Sequence, residues 1–132
     1  MQQIFAKIGV EPAAKEGLYG DIQNIPVSGD GTCINSGGNS YGIKVCNCKE
    51  NGNLHCDCKR KFSDPYARWG WDSYHEQWFY GNTEYILSVY NKDLNCDLPL
   101  YLRMVQAQRF DGVSFVVALA EARQLYPEFR FD

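Results

Sequence analysis

The chain has 132 residues, 45% of them hydrophobic and 14% aromatic, with a formal net charge of −3. That length gives one domain with room for a sizeable core, and that composition excludes a disordered chain. The acidic balance removes the overall basic signature of many nucleic-acid binders but leaves room for a local patch, and no apolar run nears the roughly 18–20 residues of a membrane span.

The N-terminus, MQQIFAKIGVEPAAKEG, carries neither the basic start nor the apolar stretch of a secretory signal. With six cysteines in the chain, this predicts a reducing, cytoplasmic setting in which thiols are free or metal-bound rather than paired. Residues 1–9 have a short amphipathic character through Ile4, Phe5 and Ile8, and Pro12, Gly17 and Gly20 are predicted to break any continuation. Residues 1–20 thus read as a helical lead-in to a domain over 21–132. The weak alternation of Ile22, Ile25 and Val27 predicts a strand over 22–29 that ends at Asp30. Asp30 stands between Gly29 and Gly31, so its carboxylate has little steric cover. That suits a metal site, and it equally suits a tight turn.

From residue 31 to 65 glycines and polar residues dominate, describing an insertion with little core of its own, centred on about 36–65. Cys46, Cys48, Cys56 and Cys58 form C-x-C-x7-C-x-C within it. Four thiolates on two short arms suit a tetrahedral Zn²⁺, which favours sulfur and contributes folding energy where a core is missing. In an extended C-x-C both side chains share a face, which helps them converge on one ion. His55 is a substitute ligand, and free thiols or a nested disulfide ladder are the alternatives. Cys33 and Cys96 read as ordinary buried or partly buried thiols. Lys59, Arg60, Lys61 and Arg68 are either phosphate contacts or a solvated basic loop.

The stretch RWGWDSYHEQWFYGNTEYILSVYNKD follows. Over 79–89 one face carries Phe79, Gly81, Thr83, Tyr85, Leu87 and Val89, and this period of two predicts a strand. Residues 98–106 predict another, with Leu98, Leu100, Leu102 and Met104 on one side. Trp69, Trp71, Trp78 and Tyr80 are expected in the core rather than stacked on bases. His75 has no evident partner, and Asp64 and Asp72 read as cap or turn residues. Residues 113–126 predict a helix with Val113, Val116, Val117 and Ala120 on one face and Phe115, Leu119, Ala122 and Tyr126 widening the stripe. Asp111 or Ser114 is the expected cap, and Pro127 closes the helix. The run from Phe129 to Asp132 begins a further strand. Strand, insertion, strand, strand, helix, start of strand is an α/β or α+β order, and the helix should return the chain parallel to the first strand.

The DGT at Asp30, the cysteine insertion, the FSDPYARWGWDS run and the WFYG strand entry occur in an order that resembles the catalytic domain of DDE transposases of bacterial insertion sequences, over about residues 20–128. The resemblance implies an incomplete RNase H-like fold, like that of retroviral integrases. It also implies DNA cleavage and strand transfer by two Mg²⁺ ions held by three carboxylates, of which Asp30 occupies the first position. The second and third acids would fall beyond residue 132, so the chain is expected to be inactive alone. Its expected partners are DNA at transposon ends and either another copy or a full-length transposase. The pattern departs from the family at Gly81-Asn82, where Gly-Tyr is usual, and at Arg109-Phe110-Asp111, where Arg-His-Asp is usual. A non-catalytic, transposon-derived DNA-binding or regulatory module is the alternative.

Overall fold

The computed structural model describes residues 2–132. It is a mixed α/β chain with antiparallel sheets. The N-terminal helical segment comprises α1 (Gln2–Phe5), a π-helical turn (Ala6–Val10) and α2 (Glu11–Lys15). Then come β1 (Val27–Asn35), β2 (Ile43–Lys44), a 3-10 turn (Asn47–Lys49), β3 (Arg60–Lys61), β4 (Arg68–Asp72), β5 (Gln77–Asn91), β6 (Cys96–Gln106) and α3 (Asp111–Leu125). β1, β4 and β6 all bond to β5 in one four-stranded sheet, while β2 and β3 form a separate two-stranded ladder. By contacts the chain divides into two compact units, one of residues 2–32, 83–105 and 109–132, the other of 33–82 and 106–108.

In the first unit β5 alternates as its sequence predicts: Thr83, Tyr85, Leu87 and Val89 are buried and the residues between them are not. Fully buried Leu87 and Leu100 each contribute about 2 kcal/mol by leaving water. β6 alternates less regularly, because Leu100 and Tyr101 are both buried and the inward phase then passes to Val105. Met104, expected inside with Leu98 and Leu100, is therefore exposed. The Tyr101 hydroxyl donates a hydrogen bond to Glu121 on α3, and Arg103 pairs with the same carboxylate.

β1 begins later than the sequence pattern suggests and continues through Asp30 to Asn35. Ile22 belongs to a turn region, with Asn24 N–H donating to the Asp21 carbonyl, and Ile25 forms an isolated bridge. Asp30 is thus a mid-strand residue, not a turn residue. The glycines beside it occupy the inward face. A β-carbon on Gly29 would lie 2.6 Å from Tyr85 Oη and 2.8 Å from a ring carbon of Phe115 on α3. One on Gly31 would lie 2.9 Å from the Thr83 methyl and 3.1 Å from Asp111 Oδ1.

The same closeness turns α3 the other way from its most apolar stripe. Ser114, Ala118 and Ala122, spaced four apart, are its buried residues, while Val113 and Val116 are exposed. Small side chains admit the helix to the sheet; valines there would hold it off. Neither Asp111 nor Ser114 caps the helix: Phe110 is the N-cap residue, without a side-chain cap, and Ser114 donates back to the Phe110 carbonyl. Pro127 follows the helix end at Tyr126 as expected. Beyond it Phe131 bridges Ile25 in parallel, with Ile25 N–H donating to the Arg130 carbonyl and Asp132 N–H to that of Ile25. This is the return that the helix and the following apolar run predict.

The N-terminal helix also runs further than expected, because Pro12 falls in the first turn of α2, where a missing N–H is tolerated. Its buried face is Ala6 and Val10 with Phe5 half-buried, and Ile4 and Ile8 face solvent.

Gly29→Ala should destabilise the protein by about 1–3 kcal/mol through overpacking, read from the urea midpoint, whereas Asp30→Asn on the open face should change it by less than about 0.5 kcal/mol. Burial holds the phenols of Tyr19 and Tyr101 protonated, up to about 12 in each case. The unfolded chain loses these protons near pH 10, before the folded one, so stability should fall as pH rises from about 10 to 12. Tyr19→Phe should flatten that fall in alkaline unfolding curves.

Candidate metal centre

From Ser36 to Tyr66 no residue is fully buried, so this segment has no apolar core to order it. What gathers there is sulfur. The ligand atoms of Cys46, Cys48, Cys56 and Cys58 all lie within 4.8 Å of one another. Cys46 ends an extended stretch as the N-cap of the 3-10 turn, Cys48 sits inside that turn, and Cys56 and Cys58 lie on the arm leading into β3. The β2–β3 ladder, with Ile43 opposite Lys61 and Lys44 opposite Arg60, closes the arms behind them.

Continuing that register would set Cys46 opposite Cys58 and Cys48 opposite Cys56. The closest sulfurs instead follow the diagonals, Cys46–Cys56 at 3.5 Å and Cys48–Cys58 at 3.6 Å. Diagonal approach draws all four sulfurs toward one point rather than into two rungs. These spacings exceed the roughly 2.05 Å of a disulfide. They approach the edge of about 3.8 Å that a tetrahedron of Zn–S bonds of about 2.3 Å requires. The four cysteines are therefore close enough to bind a metal ion and compatible with zinc. His55 is not in the cluster.

The thiols also differ in acidity. Cys46 is lowered to about 7 by the backbone N–H of Cys48 and by a hydrogen bond from Cys56. Cys48 is pushed up to about 12 by its hydrogen bonds to Cys58, Cys46 and Cys56. Cys58 is also raised: the bond with Cys48 pulls it down, but the bond and charge of Cys46 outweigh it. Four thiols in this space cannot all ionise without a cation among them.

The other predicted site residues are more scattered. Asp30 is exposed in mid-β1, its Oδ1 accepting the Gly31 N–H at 2.8 Å. Among the described residues the cysteines are the one group of three or more such ligands placed to share an ion, and Asp30 is not part of it. Lys59, Arg60 and Lys61 are exposed, the last two forming β3 directly after Cys58. Arg60 donates to the Tyr41 carbonyl. Arg68 opens β4, and its guanidinium donates to the carbonyls of Pro65 and Ala67. Cys33 and Cys96 are half-buried, as expected of ordinary thiols.

Asp64 and Asp72 are the turn residues expected: Asp64 accepts Ser36 Oγ and the N–H groups of Tyr66 and Ala67, and Asp72 accepts those of Tyr74 and His75. Ser36 holds the Asp64 carboxyl below its usual range, and His75 does the same for Asp72. The His75–Asp72 pair, Nδ1 to Oδ2 at 2.7 Å, was missed from the sequence although its three-residue spacing was visible. The aromatic expectation is overturned. Trp69, Trp71 and Trp78 are 47%, 50% and 66% exposed, and Tyr80 is only half-buried.

No family model, curated protein or solved structure matches the chain. Among the described residues no helix is long and apolar enough to cross a membrane.

The protein purified from a zinc-replete culture should carry about one zinc per chain by elemental analysis. Replacing Cys48 and Cys56 together by Ser should remove it and strip hydrogen-exchange protection from residues 43–61. A folded, protected segment without metal would reject the site.

Proposed function

We propose that this chain is a DNA-handling domain of the DDE-transposase kind, with an RNase H-like layout and a zinc-stapled insertion. The observation that carries the reading is the course of the first unit. An initial strand bears an exposed mid-strand aspartate, β5 and β6 follow, and α3 then brings Phe131 parallel to Ile25. This order agrees with the family suggested by the DGT, FSDPYARWGWDS and WFYG segments.

In such enzymes paired Mg²⁺ ions activate water or a 3′-hydroxyl for attack on a phosphodiester. Asp30 fits the position of one ligand, but residues 2–132 do not bring together the set that would hold the ions. A second reading is a non-catalytic, transposon-derived binding or regulatory module. It is favoured by the one ligand cluster among the described residues being sulfur, which suits structural zinc rather than phosphoryl transfer. In both readings the partner is DNA at transposon ends, bound alone or together with another copy or a full-length transposase. The cysteine cluster supports this role because Lys59 follows Cys58 directly and Arg60 and Lys61 are then paired against β2.

Fluorescence anisotropy with a duplex of about thirty base pairs tests the common core of both readings. Reversing Lys59, Arg60 and Lys61 to Glu should weaken binding at least tenfold at about 50 mM salt and lower the salt slope. Absence of duplex binding, or no effect of the reversal, would sink the proposal. Mg²⁺-dependent plasmid nicking that Asp30→Asn abolishes selects the enzyme; binding without nicking selects the module.

A further inference from the structure

The β4–β5 hairpin of the second unit exposes an aromatic face that the fold does not use. Its register sets Trp69 opposite Tyr80 and Trp71 opposite Trp78. Alternate residues face the other way, and there backbone fills the space. A β-carbon on Gly70 would lie 2.5 Å from the Ala107 carbonyl oxygen, and one on Gly81 would overlap the Ile34 carbonyl. The large rings are therefore held outward. Trp69 and Tyr80 meet with centroids 5.5 Å apart and planes tilted 54°, and Trp71 and Trp78 meet at 5.4 Å and 70°.

Beside the first pair is a cleft of about 380 Å³ lined by Phe62, Pro65, Arg68, Trp69 and Tyr80. That volume lies in the range of small-ligand pockets. Arg68, at the rim where β4 begins, has its guanidinium held by the Pro65 and Ala67 carbonyls, and among the described residues no carboxylate pairs with it. The neighbouring acids are already engaged, Asp64 by Ser36 and two backbone N–H groups and Asp72 by His75. The cleft thus combines π faces with one cation at its rim that has no carboxylate partner among the described residues. The occupant that matches it has a flat ring and an anionic group one short linkage away. The tilted rings make a wedge rather than a level platform, which suits an inserted planar ring better than a sugar laid across it.

We propose that this face binds single-stranded nucleic acid, with one base in the cleft against Trp69 and Phe62, its phosphate on Arg68, and a neighbouring base against Trp71 and Trp78. The inference stands on the second unit alone and does not need the Asp30 reading.

Anisotropy of a labelled ten-residue oligothymidylate against a duplex of equal length, on the whole chain, tests it. The single strand should bind more tightly and quench tryptophan fluorescence. Trp69→Ala should weaken single-strand binding at least tenfold while sparing the duplex affinity that depends on Lys59–Lys61. Trp69→Phe should restore most of it, and Tyr74→Ala, at an 88% exposed turn residue, should change nothing. Single-strand binding indifferent to Trp69→Ala, or no binding and no quenching in the unaltered protein, overturns the proposal. Quenching by a cello-oligosaccharide but not by oligothymidylate also overturns it, in favour of a carbohydrate surface. If Trp69→Ala fails to fold by circular dichroism, the quenching of the unaltered protein and Arg68→Ala, expected to weaken binding severalfold, decide.

Discussion

Steric exclusion at a few glycines determines what each unit of this protein can present to its surroundings. In the first unit Tyr85 and Phe115 come so near position 29 of β1, and Thr83 and Asp111 so near position 31, that neither has room for a β-carbon. In the second, backbone carbonyls come as near to positions 70 and 81. Because strand side chains alternate, fixing the inner residue as glycine fixes its neighbours as outward. Asp30 and the rings of Trp69, Trp71 and Tyr80 face out for one and the same reason. The chemistry-bearing residues are exposed as a result of packing on the opposite face, and α3 accepts the arrangement by lining its own inner face with Ser114, Ala118 and Ala122.

The cysteine segment solves a different problem. With no buried residue between Ser36 and Tyr66, hydrophobic burial cannot order it, and four convergent sulfurs supply the missing constraint. A metal ion held by the four sulfurs would supply folding free energy to that segment. The ladder beyond the sulfurs carries the gain directly into β3, where Arg60 and Lys61 are held in extended conformation against β2. Order at the sulfurs and presentation of positive charge are one structural event.

The sequence was most legible where one physical rule acted alone. β5 shows its period of two without interference, the C-x-C pairs announce their convergence, and the turn aspartates at 64 and 72 behave as their type suggests. Reading failed where two rules competed. In α3 the bulkier apolar residues mark one stripe, but close approach rewards the smallest side chains, so Val113 and Val116 are outside. In β1 the glycine pair left a tight turn and an uncovered metal site equally open, because glycine permits turns, although here it permits contact. The tryptophans were assigned to the core by hydrophobicity, with no way to foresee that backbone already filled the other side of their strands. Asp30 was singled out as an unusual residue, while its exposed place in the middle of a strand rather than at the strand's end emerges only in three dimensions.

The geometry of the insertion bears on how such a chain tolerates change. Its two arms leave and re-enter at adjacent positions of an antiparallel ladder, Ile43 beside Lys61, about 4.8 Å apart as neighbouring strands are. To the remainder of the chain, everything between those residues is equivalent to a short turn. The segment behaves as a cassette in a socket: its length, tip and even its choice of metal ligands are open to exchange at little cost in loop entropy, provided the two ends still meet.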